Sequence, residues 1–294
     1  MPIALAVNFL NHLRTFLKKK IKFNCPIICI GNIYIGGTGK TPLSIEISNI
    51  LSSLQKKPAI IKKFYDNQLD EIGLIKGNGK NLVVGDTRIK AVKDAEEQGY
   101  NVMVLDDGFQ DFSLYKDLEI VCFNANQLIG NGLTIPSGPL RENLHSLNRC
   151  KIIVINGDKN IDFENKIKKI NDKIKIYYSK YIPIENEQLI GKKLLAFAGI
   201  GNPNNFYDLL KEYHLNVVKK ISFPDHHTFS IKELDDIHNI AITDNLEIVT
   251  TEKDFFRLKN MKYYEKYKKI KFLKVKLNIS NKPELIKDIE KYIK

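Results

Sequence analysis

The chain has 294 residues and a formal net charge of +12, and it is long enough to bury a core without disulfide bonds or structural metals. Its four cysteines show no C-x-x-C spacing, so we predict no zinc site and expect free, buried thiols in a reducing compartment. The positive charge could serve an anionic partner, or it could simply reflect a general enrichment of the sequence in lysine. Because no basic and aromatic RNA-binding pattern is present, we predict no nucleic-acid partner.

The first residues predict an amphipathic helix. Leu5, Phe9 and Leu13 recur at helical spacing, and lysines at 18–20 follow the apolar part. A signal peptide has its charges before the apolar part, so the order here is reversed. No apolar stretch reaches the roughly 18 residues that a membrane span requires. We therefore predict that residues 1–23 form a helix on an anionic membrane surface, the alternative being a helix packed on the protein's own core.

Short apolar runs then alternate with helical stretches, which is typical of a mostly parallel sheet with helices on both faces. Strands are predicted near Pro26–Ile33, Pro58–Ile61, Leu82–Val84, Val102–Asp106, Glu119–Phe123 and Ile152–Ile155, and helices near Pro42–Gln55 and Arg88–Gln98. The expected fold class is α/β and P-loop NTPase-like. We predict a P-loop domain over residues 24–173, a linker over 174–190 and a second, smaller α/β domain over 191–294.

The segment PIICIGNIYIGGTGKTP, residues 26–42, has the order of strand, glycine-rich loop, Lys-Thr and helix that forms a phosphate-binding site. Lys40 is expected to reach the β- and γ-phosphates, and the Thr41 hydroxyl to ligate Mg²⁺. The first glycine of the usual motif is replaced by Tyr34, so the alternative is a glycine-rich turn with an incidental lysine. The residues predicted to bind the nucleotide are Gly36, Gly37, Thr38, Gly39, Lys40 and Thr41.

A second cluster follows the predicted strand Val102–Asp106. Four apolar residues end in Asp106 and Asp107, which indicates a buried strand that delivers carboxylates to its exit. Mg²⁺ prefers hard oxygen ligands beside substrate phosphates. An Asp-Asp-Gly sequence alone is usually a turn, but its place in the same sheet as the phosphate loop predicts a metal-binding role for both carboxylates.

Three further clusters lie in loops or at strand exits. Arg141-Glu142 ends a loop rich in glycine and proline, where Arg141 could hold an anion, although such a pair is more often exposed at a helix start. Asp225, His226 and His227 follow a predicted strand and suggest either an acid/base role or a structural one. Lys253-Asp254 in the sequence TTEKD at 250–254 could contact a nucleotide base, but the segment is most simply interpreted as a helix N-cap.

Together these segments resemble the tetraacyldisaccharide 4′-kinases, the lipid A 4′-kinases of Gram-negative bacteria. The matching segments are ICIGNIYIGGTGKTP, VMVLDDGFQ, LIGNGLTIPSGPLRE, FAGIGNPNNF, FPDHH and TTEKD, in the family's order over residues 28–254. The resemblance implies transfer of the γ-phosphoryl group of ATP, with Mg²⁺, to the 4′-hydroxyl of a lipid disaccharide 1-phosphate. It also implies a peripheral protein on the cytoplasmic face of the inner membrane, and we expect a monomer.

By the same resemblance, Asp70 and His226 are expected to act together on the attacking hydroxyl, with Lys40 and Arg141 as further catalytic residues. Because Asp70 and His226 fall in different predicted domains, we expect closure of the two domains to complete the site. The remaining implied site residues are Glu71, Arg88, Gln110 and Glu142 and, for the metal, Thr41, Asp106 and Asp107.

The chain departs from the family pattern in two places. Asp111 follows DDGFQ, where the family commonly has histidine. The family's Arg-Gly-Tyr-Gly segment is reduced to the sequence KFYD at 63–66, which leaves Asp86 as an alternative to Asp70. Two other functions fit the phosphate loop: a kinase of another sugar or metabolite, or a membrane-associated nucleotide-binding assembly factor.

Overall fold

The computed structural model describes residues 20–65 and 68–293, and these residues form two compact units. Unit 1 contains residues 20–64, 79–180 and 277–293, and unit 2 contains residues 65, 68–78 and 181–276. The helix predicted over 1–23 lies, up to residue 19, outside the described residues.

Unit 1 is built on a parallel sheet with the strand order β3-β2-β4-β1-β5-β6-β7. The strands are β1 (Ile27–Gly31), β2 (Pro58–Lys63), β3 (Leu82–Gly85), β4 (Val102–Asp106), β5 (Leu118–Asn124), β6 (Ile152–Asn156) and β7 (Lys175–Ile184). The α-helices are α1 (Lys40–Ser53), α3 (Arg88–Glu97), α4 (Ile161–Ile170) and α8 (Lys282–Glu290), and Leu144–Arg149 forms a short 3₁₀ helix.

The central strands of unit 1 are covered on both faces. Successive side chains of a strand point to opposite faces, yet Ile28, Cys29 and Ile30 of β1 are all fully buried. Such strands are continuous apolar runs, which is why the sequence showed them clearly. The predicted α/β class is confirmed.

Unit 2 contains a smaller parallel sheet with the order β11-β10-β8-β9. Its strands are β8 (Lys193–Ala198), β9 (Asn216–Ser222), β10 (Glu247–Thr251) and β11 (Lys271–Ile279). Its α-helices are α2 (Leu69–Gly77), α5 (Pro203–Glu212), α6 (Ile231–Thr243) and α7 (Glu252–Lys259), and Glu187–Leu189 and Tyr264–Tyr267 are 3₁₀ helices. Helix α2 lies between β2 and β3 in the chain, so it is an insertion into the sequence of unit 1.

The prediction of a linker over 174–190 is wrong, because residues 175–184 form the regular strand β7. Its first half pairs in parallel with β6, with Ile176 beside Ile153. The Tyr177 hydroxyl donates to Asp288 at 2.7 Å, and the Tyr178 hydroxyl donates to Glu164 at 2.8 Å. These contacts within unit 1 hold the first half of β7 in its sheet.

Other segments also differ from the predicted boundaries. The C-terminal residues 277–293 belong to unit 1, where Leu285 and Ile289 of α8 are fully buried. Residues 20–23, predicted as helix, are extended instead, because Ile21 N donates to the Ser113 carbonyl at 2.9 Å and the Ile21 carbonyl accepts from Tyr115 N at 2.8 Å. Strands β7 and β11 each run from one unit into the other.

The cysteines behave as predicted. All four are free and buried. Burial raises the pKa of the Cys29 thiol to about 12, so this thiol stays protonated and packs as a small apolar group.

Candidate active site

The phosphate loop joins β1 to α1 in the predicted order. Helix α1 begins at Lys40, directly after Gly39, whose φ of 87° lies in the left-handed region that glycine adopts without strain. The first turn of a helix leaves backbone N–H groups without intrahelical partners. Lys40 and Thr41 lie in that turn, so the loop has the groups and the dipole direction that bind phosphate.

Tyr34, which replaces the first glycine of the usual motif, is a core residue. It is fully buried, and its ring lies 6.0 Å from that of Phe123. Its hydroxyl accepts a hydrogen bond from Asn124 N at 2.9 Å. Tyr34 therefore anchors the start of the loop to the end of β5.

A second segment is hydrogen-bonded to the start of the phosphate loop and carries Arg141. Ile35 N donates to the Pro139 carbonyl at 2.9 Å, and Arg141 N donates to the Ile33 carbonyl at 2.7 Å. The Arg141 guanidinium reaches Asp107 Oδ1 at 3.3 Å, and Lys40 Nζ lies 3.7 Å from the same oxygen. The predicted loop-borne arginine thus lies beside the phosphate-loop lysine, with Asp107 between them.

Asp106 lies at the end of β4 and is fully buried. Its Oδ2 accepts from the Thr41 hydroxyl at 3.0 Å and from Lys62 Nζ at 2.9 Å, and its Oδ1 accepts from the Ser44 hydroxyl at 3.0 Å. Lys62 at the end of β2 is itself only 1% exposed. The carboxylate therefore links the first turn of α1 to a buried ammonium group on the neighbouring strand.

Asp107 has a φ of 54°, which is uncommon for a residue with a side chain. The Arg88 guanidinium stabilises this turn, since it donates to the Asp107 carbonyl at 2.6 Å. Arg88 also pairs with Asp111 at 3.3 Å. Burial alone would raise the pKa of the Asp111 carboxyl, but hydrogen bonds from Ser113 and the Arg88 charge lower it. The buried Arg88 side chain thus holds the turn that carries Asp106 and Asp107 in place.

Gln110 and Glu142 belong to a hydrogen-bond network that contacts the start of the phosphate loop. Gln110 Nε2 donates to the Asn32 carbonyl at 2.8 Å and to Glu142 Oε1 at 3.1 Å. The Arg149 guanidinium donates to both Glu142 oxygens, at 2.9 and 3.1 Å. Asn32 in turn donates to the Thr38 hydroxyl at 3.3 Å. These bonds connect the phosphate loop to the segment that carries Arg141.

In unit 2, Asp70 lies in the first turn of α2. This helix packs closely on α7, because Gly73 and Gly77 present no side chains to Phe256. A Cβ at Gly73 would lie 2.9 Å from Phe256 Cβ, and one at Gly77 would overlap the ring. The two glycines therefore allow the close packing that brings Asp70 to the start of α7.

Asp70 is surrounded by cationic groups. The Arg257 guanidinium donates to Asp70 Oδ2 at 2.6 Å, and Lys253 Nζ lies 3.6 Å from the same oxygen. His226 Nδ1 lies 3.4 Å from it as well. Lys253 also pairs with Glu71 at 3.4 Å. All of these residues belong to unit 2.

The charge of Asp70 is strongly stabilised. Burial alone would raise the pKa of this carboxyl, but His226, Lys253 and Arg257 outweigh burial and hold the pKa well below its usual range. Asp70 is therefore ionised at neutral pH.

The neighbouring His227 has a structural environment. Its ring stacks on Phe223 at 4.8 Å, and its Nε2 lies 3.0 Å from Glu233 Oε1. Glu233 also belongs to the capping box of α6 with Ser230. Of the two adjacent histidines, His226 is the one that faces Asp70.

A sequence profile of the tetraacyldisaccharide-1-P 4′-kinase family matches residues 1–294. The chain belongs to this family. The tetraacyldisaccharide 4′-kinase of Pelagibacter ubique is 43% identical over 92% of this chain and 87% of its own length. That of Rickettsia typhi is 31% identical, over 98% of this chain and 92% of its own length.

A solved structure shows the same fold. LpxK from Aquifex aeolicus, crystallised in complex with ATP, matches with a TM-score of 0.75 at 21% identity, covering 100% of this chain and 98% of that chain. The family predicted from the motifs of the 4′-kinases is therefore confirmed, and so is the P-loop NTPase-like α/β fold.

The residues predicted from the 4′-kinase motifs form two groups. In unit 1, the glycine loop lies with Lys40, Thr41, Asp106, Asp107, Arg88, Gln110, Arg141 and Glu142; in unit 2, Asp70 lies with Glu71 and His226. The expectation that Asp70 and His226 lie in different domains is wrong, because α2 belongs to unit 2. That closure of the two domains completes the site stays a prediction. The alternative, Asp86, has a side chain 84% exposed and pairs with Lys90 at 3.5 Å.

The sequence did not predict that four charged residues of this 4′-kinase chain hold carboxylates of the site. Lys62 and Arg149 hold carboxylates in unit 1, and Lys253 and Arg257 hold Asp70 in unit 2. A signal for Lys253 was present, since a cation in the first turn of a helix opposes the helix dipole. The predicted N-cap is confirmed, because the Thr251 hydroxyl accepts from Asp254 N at 3.1 Å.

The oxygen ligands of unit 1 fit a Mg²⁺ ion bound jointly with phosphates. Within residues 20–65 and 68–293, no cluster of three histidine, cysteine or acidic side chains could hold a metal alone. Mg²⁺ at kinase sites is usually held by one or two protein groups together with substrate phosphates and water. The Thr41 hydroxyl, bound to the buried Asp106 carboxylate, has this chemistry. In the same described ranges, no helix has the length and apolar composition to cross a membrane.

Proposed function

We propose that this family member transfers the γ-phosphoryl group of ATP to the 4′-hydroxyl of a tetraacyldisaccharide 1-phosphate. The family match over the whole chain carries the proposal. Two features of the structure support it: a phosphate loop with its cationic groups in unit 1, and a buried Asp70 carboxylate paired with His226 in unit 2. We further propose that the protein acts as a monomer.

Unit 1 supplies the groups for ATP. The N–H groups at the start of α1 and the Lys40 ammonium would bind the phosphates, and Arg141 would add a second cation. Thr41, held by Asp106, would ligate Mg²⁺ through its hydroxyl. The ion would neutralise charge on the transferring phosphoryl group. Asp107 pairs with both Lys40 and Arg141 and so sets the positions of these two cations.

Unit 2 supplies the groups for the acceptor. Phosphoryl transfer depends on positioning and charge more than on covalent chemistry, and a nearby residue orients the nucleophile and accepts its proton. Asp70 and His226 lie 3.4 Å apart at their nearest atoms and have the chemistry for this task. Lys253 and Glu71 lie beside them.

The test is incubation of the protein with ATP, Mg²⁺ and the disaccharide 1-phosphate in detergent. We expect phosphate transfer to the lipid sugar. A folded preparation that transfers none would rule out the proposal. Transfer to soluble sugars without detergent would identify a kinase of another metabolite, and slow ATP hydrolysis without acceptor dependence would favour an assembly factor.

Replacing Asp70 by alanine is expected to lower kcat by about 10³-fold, with little change in the affinity for ATP, because Asp70 lies with the acceptor groups. Asp86→Ala removes the same carboxylate from an exposed site and is the matched control, with kcat unchanged. Steady-state kinetics of both variants, with thermal unfolding to check their folding, makes the comparison. A loss of kcat in Asp86→Ala but not in Asp70→Ala would reverse the assignment.

We also propose that residues 1–20 attach the protein to the cytoplasmic face of the inner membrane. The apolar positions at helical spacing and the lysines after them support this placement. Burying several large apolar side chains contributes roughly 5 kcal/mol, and each lysine near an anionic leaflet adds about 1 kcal/mol. This attachment is reversible and leaves the acyl chains of the substrate in the bilayer.

Deleting residues 1–20 is expected to release the protein from anionic vesicles in a flotation assay. A finer test compares Leu5→Asp/Phe9→Asp with Asn11→Asp/Thr15→Asp, which add the same two acids, at the same spacing, on and off the apolar face. The first variant should lose vesicle binding and the second should keep most of it. Equal binding by the full chain and the deletion variant would contradict the attachment.

A further inference from the structure

Arg149 ends the 3₁₀ helix Leu144–Arg149 and holds Glu142 with both arms of its guanidinium. NH1 donates to Glu142 Oε2 at 2.9 Å, and NH2 donates to Oε1 at 3.1 Å. Two such hydrogen bonds fix the orientation of a carboxylate as well as neutralising its charge, whereas an ammonium group acts only as a point charge. The plane of the Glu142 carboxylate is therefore set by Arg149.

Two aromatic rings hold the Arg149 guanidinium in turn. Its central carbon lies 4.3 Å from the centre of the Phe109 ring and 4.8 Å from the centre of the Phe112 ring. A planar guanidinium stacks on aromatic faces in a way that a lysine side chain cannot reproduce. Phe109 is fully buried, and it packs so closely on Gly31 that a Cβ at Gly31 would overlap it. Arg149 is thus held by a rigid part of the fold.

Glu142 connects this arginine to the phosphate site. It is the covalent neighbour of Arg141, whose backbone N donates to the Ile33 carbonyl at 2.7 Å. Gln110 Nε2 donates to Glu142 Oε1 at 3.1 Å and to the Asn32 carbonyl at 2.8 Å. The backbone that carries Arg141 is therefore fixed against the start of the phosphate loop.

The Arg141 side chain has weaker contacts of its own. Its NH1 lies 3.3 and 3.5 Å from the two Asp107 oxygens, longer than the roughly 2.7–2.9 Å of a strong charge-assisted hydrogen bond. The side chain is also 31% exposed. A long side chain held in this way depends on its backbone for its direction, and the Arg141 backbone is held in part through Glu142.

The charge of Glu142 matters as well. Its side chain is only 12% exposed, so solvent screens it weakly. A carboxylate next to Arg141 would offset much of the attraction of that arginine for phosphate, because opposite charges at similar distances from an anion cancel. Pairing with Arg149 neutralises the carboxylate and leaves the positive charge of Arg141 available.

We propose, on the basis of the proposed kinase function, that Arg149 is a positioning residue for the phosphates of the nucleotide. Arg149 orients Glu142, Glu142 holds the backbone of Arg141, and Arg141 presents its guanidinium to a phosphate beside Lys40. Because its own guanidinium is engaged by Glu142 and by two rings, Arg149 acts through Arg141 rather than on the phosphate. The role requires the planar shape of the guanidinium and not its charge alone.

The first test measures ATP binding without an acceptor. Arg149→Lys keeps the charge but loses the paired hydrogen bonds and the stacking, and it should weaken ATP binding with Mg²⁺ about tenfold by calorimetry. In an Arg141→Met background the same replacement should change the Kd less than about twofold, because the group through which Arg149 acts is absent. Lys151→Gln, at an exposed neighbouring position, is the matched control and should bind as the wild type does. An equal loss in both backgrounds, or no loss beside an intact Arg141, overturns the proposal.

This measurement separates the inference from the proposed function. ATP binding does not involve the lipid, so coupling between Arg149 and Arg141 can be detected in a protein that transfers no phosphate to the disaccharide. Transfer to the disaccharide without this coupling would leave the proposed function standing and overturn the inference.

The second test is kinetic. Arg149→Lys should lower kcat by about 100-fold with the KM of the lipid acceptor little changed, as expected when a group that positions the phosphates is slightly misplaced. The unfolding midpoint shows whether the variant is folded. If it is not, Phe112→Leu removes one stacking ring and leaves the ion pair, and it should lower kcat about threefold beside Arg141 but not in the Arg141→Met background. A folded Arg149→Lys variant with wild-type kcat overturns the proposal, and so does an equal loss from Phe112→Leu in both backgrounds.

Discussion

Replacing Lys40 by alanine is expected to lower kcat by about 10³-fold, since preorganised charges on the transferring phosphoryl group contribute this much to catalysis. Lys40 Nζ lies 3.7 Å from Asp107 Oδ1, and Arg141 approaches the same oxygen at 3.3 Å. Asp107 thus holds two cations beside the first turn of α1. When ATP binds, its phosphates would compete with Asp107 for these cations. Removing Lys40 therefore affects the transfer of the phosphoryl group, in which negative charge shifts between oxygens.

The matched control is Lys57→Ala, which removes an exposed lysine from the loop between α1 and β2. Its kcat should equal that of the wild type. Initial rates at saturating ATP and acceptor measure the effect, and the unfolding midpoint shows whether the variants remain folded. If Lys40→Ala retains kcat within tenfold of wild type, Lys40 does not serve the transferring phosphate and the role assigned to the loop is wrong.

The phosphate loop was predictable because its residues are local in sequence. The strand, the glycines and the start of α1 at Lys40 follow one another within 26–42, and each has a backbone requirement that the sequence shows. Tyr34 was not predictable as an anchor, since its partner Asn124 lies 90 positions away. The core role of Tyr34 depends on the pairing of β1 with β5, which is a property of the fold.

The unit to which Asp70 belongs could not be predicted from its place in the chain. Segment 65–78 lies between two strands of unit 1, so sequence order assigned it to the first domain. What decides its place is packing: Gly73 and Gly77 fit against Phe256, far along the chain. The glycines were visible in the sequence, but their partner was not. Asp70 was therefore identified through the family's motif, but the residues that surround it in unit 2 could not be predicted.

For Lys62, the information that the sequence lacked is the register between two neighbouring strands. The predicted strand ended at Ile61, which left the lysine as a loop residue. In the sheet, β2 continues to Lys63, and Ile61 lies beside Leu105 of β4. That register brings Lys62 to Asp106. Once the strand order is known, two oppositely charged residues that follow the apolar runs of neighbouring strands thus indicate an ion pair.

Asp106→Ala is expected to destabilise the protein by about 3–5 kcal/mol, because it removes a counter-charge from a buried ammonium group. Lys62 is 1% exposed and its ammonium lies 2.9 Å from Asp106 Oδ2, so the variant buries a charge that has lost this carboxylate. Urea unfolding of unit 1, followed by a probe placed in its sheet, measures the loss. The exposed pair of Asp86 and Lys90 is the control, and Asp86→Ala should cost less than about 1 kcal/mol.

The double variant Lys62→Met/Asp106→Ala separates the buried charge from the lost hydrogen bonds. Replacing both members of a buried pair by uncharged groups often restores stability, so the double variant should recover about 2 kcal/mol or more relative to Asp106→Ala. The Thr41 hydroxyl loses the Asp106 carboxylate in both variants, so phosphate transfer should stay low although stability returns. A double variant no more stable than Asp106→Ala would show that the ammonium is not the source of the cost. Recovery of stability without recovery of activity would place the role of Asp106 in holding Thr41, rather than in holding the sheet together.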